Sequence, residues 1–216
     1  MRRVEKGYLL SALAPRRANS KDLWIPGLIR HYAMERISGS TLYDQCAIGN
    51  ATIYNMTQSP GVSGVCLAGG SVATITRNID LGSDITFASF SAWIKRNDIS
   101  LISGVLFNSG GNKTVQILSS GNYISCYNGS WISSNLVLAD TNWHHLAGVL
   151  ESTNNIRLYL DGVKASLTLA INSSVVRYFG RYSVISGQEA CSLDEVRLYS
   201  TILTEMQVLK LYDEFR

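Results

Sequence analysis

Long apolar runs, paired cysteines and clustered carboxylates are all missing from this chain of 216 residues. No stretch approaches the 18 or more apolar residues that a membrane-spanning helix needs, which excludes helical membrane insertion. Cys46, Cys66, Cys126 and Cys191 contain no C-x-x-C pair, and their wide spacing matches no zinc motif. Free buried thiols are expected in a reducing compartment, with Cys46–Cys66 the first pairing to consider if the chain is exported. Neither a G-x-S-x-G elbow nor a phosphate-binding glycine loop occurs, so serine-hydrolase and nucleotide-binding chemistry have no sequence support. Charged residues are only 16%, against 46% hydrophobic, a balance that suits one large packed core.

What the chain does have is tyrosine (11 copies), serine, threonine and β-branched residues, cut into short runs by Gly, Asn and Asp. The pattern predicts strands over Ala51–Tyr54, Val72–Arg77, Thr86–Lys95, Leu101–Phe107, Thr114–Leu118 and Tyr123–Tyr127. Further strands are expected over Ser133–Leu138, His144–Leu150, Ile156–Leu160, Val163–Leu169, Val175–Gly180 and Cys191–Tyr199. Between two of them stands Asp161-Gly162, a pair that tolerates the positive φ angles of a type I′ hairpin turn. Alternation of Ile156, Leu158 and Leu160 with Arg157 and Tyr159 fixes the register of that hairpin. One helix is expected, at the C-terminus. Thr204 and Gln207 have capping-box spacing, and Val208, Leu211, Tyr212 and Phe215 make one apolar stripe. The fold class implied is an all-β, two-sheet antiparallel jelly-roll sandwich with a short C-terminal helix.

Charge is unevenly laid out. Residues 1–21 carry Arg2, Arg3, Lys6, Arg16, Arg17 and Lys21 against Glu5, a net of +5, so the rest of the chain sums to −2. Residues 1–23 therefore read as a basic arm and 24–216 as a folded domain, with Pro26-Gly27 just past the change. The arm resembles a signal peptide only weakly: its apolar run, Gly7–Ala14, is short, and Pro15 would follow the cleavage site. An arm that is retained and grips a protein assembly is the expectation; nucleic acid and a membrane surface also attract such charge.

Three segments carry a family resemblance: "FASFSAWIKR" (Phe87–Arg96), "NWHHLAGVLESTNNIRLYLDGV" (Asn142–Val163) and "SLDEVRLYSTILTEMQVLKLY" (Ser192–Tyr212). Together they resemble laminin-G-like domains of the concanavalin A-like lectin/glucanase superfamily. The resemblance implies two stacked antiparallel sheets with the ends of the domain close together, and a binding rather than catalytic role. Many relatives hold calcium through an Asp-rich segment. The corresponding stretch here, "LAGGSVATI" (Leu67–Ile75), has no carboxylate, so calcium stays open but no cofactor is expected. The E-x-D-x-E strand of the superfamily's hydrolases is also absent; around Asp194 the chain reads "EACSLDEVRL". No enzyme is expected, and no catalytic residue or metal ligand is assigned. His144 and His145 point to opposite faces of a strand and cannot easily share a metal.

The aromatic cluster Tyr123, Tyr127, Asn128 and Trp131, around an Asn128-Gly129 turn, is the candidate ligand site. Ring faces stack on sugars, and Asn supplies hydrogen bonds. The alternative is that Trp131 covers an edge of the core. The expected function is a non-enzymatic module of a virion, a phage capsid decoration or tail component, whose arm docks on capsid or tail proteins while the lectin-like domain faces a glycan. A secreted or cell-surface lectin is the alternative, with an extracellular location. Self-association through edge strands is a further expectation.

Overall fold

The computed structural model describes residues 25–69, 77–107, 113–181 and 188–216. The six cations of the basic arm, and residues 72–76 of the strand expected at Val72–Arg77, lie outside the described residues. The chain opens with β1 (Leu28–Tyr32), β2 (Ile37–Ser38), β3 (Thr41–Leu42), β4 (Ala51–Tyr54), β5 (Thr57–Gly61) and β6 (Gly64–Ala68). Next come β7 (Arg77–Thr86), β8 (Ser89–Lys95), β9 (Ile102–Phe107), β10 (Lys113–Ile117), β11 (Tyr123–Tyr127) and β12 (Trp131–Val137). The last third gives β13 (Trp143–Ser152), β14 (Asn155–Leu160), β15 (Val163–Ala170), β16 (Val175–Arg181), β17 (Gln188–Ala190), β18 (Ser192–Tyr199) and α1 (Glu205–Asp213).

Among the described residues these strands form two sheets. One runs β15-β14-β13-β8-β18-β6-β5, with β1 also on β18; the other runs β12-β11-β10-β9-β16-β7-β4-β3-β2, with β17 on β9. All strand pairs are antiparallel except β17 with β9. Between the sheets lies one core that includes Phe90, Ile94, Leu106, Val115, Ile124, Cys126, Leu146, Leu158, Phe179 and Leu198. Alternate residues of most strands enter it, the period-2 pattern expected of a sandwich.

The β14–β15 turn is as the sequence demands: Asp161 has φ 51° and Gly162 φ 75°, both positive as a type I′ turn requires. Ile156, Leu158 and Leu160 face the core. Tyr159, on the opposite face, is also buried, because α1 lies over that side of the sheet. Thr204 accepts a hydrogen bond from the Gln207 amide, and the Gln207 side chain accepts from the Thr204 amide. Val208 and Leu211 sit beneath the helix with Ala147, Val149, Tyr199 and Leu203. Ile25 joins this second cluster, and the Ser200 amide donates to Gly27 O at 2.7 Å, so the start of the described domain sits beside its end.

All four cysteines are free thiols, so the Cys46–Cys66 bridge does not form. The Cys46 amide is held by Asp44, while the Cys66 thiol donates to Pro60 O in the β5–β6 hairpin, which ties the two cysteines to separate local structures. Burial pushes the Cys46 thiol up to about 11 and the Cys126 thiol up to about 12, so neither is poised as a thiolate nucleophile.

Among the described residues the largest fully buried side chain is Arg96, just beyond the end of β8. Its Nε donates to Ser103 Oγ, Nη1 to Asn122 Oδ1 and Leu138 O, and Nη2 to Ile99 O and Leu101 O, at 2.6–3.1 Å. Five charge-assisted bonds offset the desolvation of the guanidinium. They tie the end of β8 in one sheet to the turn before β11 and the exit of β12 in the other. The hairpin carrying the candidate site is thereby fastened to the core.

Candidate functional site

β11 and β12 form a hairpin at one margin of the second sheet. Ile124 and Cys126 point into the core, which sends Tyr123, Ser125 and Tyr127 to the outer face. Pairing sets Tyr127 opposite Trp131, Ser125 opposite Ser133, and Tyr123 opposite Val137. The step from Ser125 to Tyr123 covers two residues on β11 and four on β12, so β12 bulges between Ser133 and Val137. Within that bulge Asn135 turns outward, and its Oδ1 accepts from the Ser166 amide of β15 at 2.8 Å. This bond clasps the margins of the two sheets.

The Tyr127 and Trp131 rings are 5.1 Å apart at 52°, both half-buried. Beside them Ser125 and Ser133 share a hydroxyl hydrogen bond of 3.0 Å. The connecting loop, residues 128–130, is closed by the Asn128 amide on Ser130 O, with Gly129 at φ 105°. Asn128 itself is exposed, and the Asn172 amide donates to Tyr127 O, pinning the hairpin tip from the β15–β16 connection. At the far end of β11, Tyr123 is 40% exposed and its ring lies against Gly121, where a Cβ would meet it at 2.5 Å. Val137 opposite is 45% exposed.

The four sequence-predicted residues thus fall on one hairpin, but not in one tight group. Tyr127, Trp131 and Asn128 gather at the tip, while Tyr123 stands two residue pairs away, beyond Ser125. Ile132, not Trp131, packs on the core, so Trp131 has the outward station that a stacking residue needs. Between the tip and Tyr123 the Ser125 side chain is buried and its hydroxyl is taken by Ser133, so this pair fastens the hairpin and does not face a ligand.

The histidines have unrelated surroundings. His144 lies between Asp161 Oδ2, 2.6 Å from Nδ1, and Asp140 Oδ1, 2.9 Å from Nε2. These bonds, Asp161 first, hold its imidazolium pKa up at about 9. His145 is buried among Trp93 and Tyr212, and desolvation lowers it to about 3, a neutral ring at physiological pH. His31 contacts Glu195 Oε2 at 2.7 Å, as does Arg197 Nη2 at 2.8 Å.

Asp194 and Glu195, the carboxylates left over from the family pattern, are buried and occupied by protein donors. Asp194 Oδ2 accepts from the Val62 and Ser63 amides and Oδ1 from the Glu195 amide, which shapes the β5–β6 turn. Burial pushes the Asp194 carboxyl up to about 7. Calcium needs several carboxylate or carbonyl oxygens turned toward one point, and these two side chains do not offer them. Among the described residues no group of three or more His, Cys, Asp or Glu is placed to hold a metal ion. Nor is any described helix long and apolar enough to cross a membrane.

The profile of the concanavalin A-like lectin/glucanase superfamily, laminin-G type, matches residues 67–209. No curated protein sequence matches the chain. Among solved structures, the fold is similar to domain 4 of AbnA, an extracellular arabinanase from Geobacillus stearothermophilus, in complex with arabinotriose. The identity is 17% and the TM-score 0.60, over 86% of this chain and 98% of that one. It is also similar to Trypanosoma rangeli sialidase in complex with sialic acid, at 13% identity and TM-score 0.63, over 88% of this chain and 33% of the sialidase. The binding domain of botulinum neurotoxin DC in complex with rat synaptotagmin II is a third, at 14% identity and TM-score 0.60, over 88% of this chain and 52% of that one. This chain spans about a third of the sialidase and about half of the neurotoxin chain.

Proposed function

The chain belongs to the concanavalin A-like lectin/glucanase superfamily, and from that premise we propose that it is a non-enzymatic carbohydrate-binding module. The observation that carries this reading is the half-buried Tyr127–Trp131 ring pair beside the exposed Asn128 at the tip of one hairpin. Rings stack on the apolar faces of sugars and a side-chain amide meets their polar rims; a shallow sugar site needs both. The similarity to an arabinanase domain solved with arabinotriose supports the same reading. The neurotoxin domain solved with synaptotagmin II leaves a protein partner as the second ligand class for such a sandwich.

The E-x-D-x-E strand of the superfamily's hydrolases is missing around Asp194, and Asp194 and Glu195 are held by protein donors, which supports binding without turnover. The finer reading is a virion component, a capsid decoration or tail protein, with Arg2, Arg3, Lys6, Arg16, Arg17 and Lys21 anchoring the module on capsid or tail proteins. It rests on the +5 of residues 1–21 beside a remainder of −2.

Two experiments test these readings. On a glycan array, the wild type binds a carbohydrate and Trp131→Ala does not, while both give the same thermal melt; a wild type that binds no glycan, or that cleaves one, contradicts the module. Deleting residues 1–21 abolishes co-assembly with particles; unchanged incorporation contradicts the anchoring arm.

A further inference from the structure

The two sheets meet differently along their two margins. On the β12 and β15 side, the Asn135 side chain and the Ser166 amide clasp them together. On the other side the sheets end in β5 and β2, which among the described residues do not pair with each other. Between these two edges lies a cavity of about 280 Å³. Its floor is Ile53, Met56 and Leu67, all members of the main core, with half-buried Ile37 against them. Its rim is Gly39, Ser40 and Gln58, all exposed. No charged side chain lines it.

Backbone pairing positions the rim. Gly39-Ser40 is the two-residue turn between β2 and β3, and the Ile53 amide donates to Ser40 O at 2.8 Å. Gly39 has φ 58°, and a Cβ there would meet nothing within 4 Å, so the turn leaves the mouth clear. Gln58 stands directly opposite Leu67 in the β5–β6 pairing. Cross-strand partners share a face, so a neutral amide is set on the core side of an edge strand, above an apolar floor. Among the described residues the Ser40 hydroxyl and the Gln58 amide have no protein hydrogen-bond partner. The rim thus holds two uncommitted polar groups, each able to donate and to accept.

We propose that this cavity is a second binding site, for a small neutral molecule with one apolar ring and one hydroxyl or carbonyl group. The ring packs on Ile37, Ile53, Met56 and Leu67, and the polar group meets Ser40 or Gln58 at the mouth. Size follows from the space: an apolar cavity of about 150 Å³ takes benzene, so this one has room for a ring with a short substituent. Charge follows from the lining, since an ion would give up water here without a counter-charge. A sugar is excluded by its own hydroxyls, most of which would face Ile53 and Leu67 unpaired. The site lies at the margin of the second sheet opposite the β11–β12 hairpin, so it is independent of the carbohydrate reading.

Methyl-resolved NMR of the full-length protein, titrated with benzyl alcohol, toluene, benzoate and glucose, tests the assignment. Benzyl alcohol is expected to shift the Ile37, Ile53, Met56 and Leu67 methyl signals to saturation, while benzoate and glucose leave them in place. Ser40→Trp and Gln58→Trp each put an indole at the mouth and should weaken benzyl alcohol at least tenfold with an unchanged melt. Should one of them melt lower, the other carries the comparison. Gln58→Leu should weaken benzyl alcohol while leaving toluene unchanged, which a merely structural glutamine would not do. No saturable shift with benzyl alcohol, shifts centred on other residues, or benzoate bound as tightly as the alcohol overturns the site. None of these results touches the glycan experiments, and a chain that binds no glycan leaves this cavity's ligand standing.

Discussion

Arg96 Nη1 donates to Asn122 Oδ1 at 2.7 Å, joining the last residues of one sheet's central strand to the turn that launches β11 in the other. Asn122 has φ 55°, a conformation few side chains accept, and the guanidinium is what engages its amide oxygen. The same guanidinium takes Leu138 O at the exit of β12. A buried cation thus sets where the ring-bearing hairpin begins and ends.

Truncating this cation leaves the Ile99, Leu101 and Leu138 carbonyls without the donors it supplies, together with a hole in the interior. Arg96→Met is expected to destabilise the protein by about 3 kcal/mol or more, since each buried acceptor left without its donor costs about 1–3 kcal/mol. Urea unfolding of the two proteins measures it. A change near zero would mean the network contributes nothing.

Gly148 is the glycine of the "NWHHLAGVLE" strand, and its neighbours explain why no side chain fits. A Cβ there would meet Phe90 Cε1 at 2.2 Å and Ile156 Cδ1 at 2.7 Å. Gly148→Ala should cost about 1–3 kcal/mol by overpacking. Thermal melting at fixed pH checks it; an unshifted midpoint would show that Phe90 yields freely.

His144 makes stability depend on pH in the alkaline direction. Its pKa is raised from the ordinary 6.5 to about 9 in the folded state, chiefly by the Asp161 hydrogen bond. A raised pKa adds stability that is fully present below the unfolded value and is lost as pH rises through the folded one. His144→Gln should therefore remove a decline in stability between about pH 6.5 and 9, read from urea midpoints across that range. A variant with the wild-type slope would place the titration elsewhere.

Removing the helix cap is a milder change. Thr204→Ala deletes the acceptor for the Gln207 amide and should cost about 1 kcal/mol. Native-state hydrogen exchange in residues 205–211 should rise first, since α1 covers the sheet rather than filling the main core.

Local chemistry made much of this fold legible in the sequence. Asp161-Gly162 announced its turn, Thr204 and Gln207 their cap, and the alternation of Ile156, Leu158 and Leu160 its face. Where the chemistry is long-range, the sequence was silent. Thr57–Gly61 is polar and holds Pro60, yet it forms the edge strand β5 because the Asp194 carboxylate, 132 positions away from Val62, organises the turn that follows. Arg77–Thr86 forms one strand despite Asp80, Gly82 and Asp84, since pairing with β16 and β4 outweighs poor propensity there. Arg96 reads as a surface cation, and only its carbonyl ring shows why it is buried. At the candidate site, the aromatic cluster was visible as composition. The separation of Tyr123 from the tip needed the register, which a bulge in β12 shifts by two residues.

Calorimetric titration of the best-bound glycan into the wild type and Trp131→Ala, with the recovered sugar inspected for cleavage, puts the most weight on the central reading. Saturable binding by the wild type, none by the folded variant, and sugar returned intact is the predicted result. Equal binding by the two proteins, or shortened products, would contradict a passive sugar-binding face on the β11–β12 hairpin.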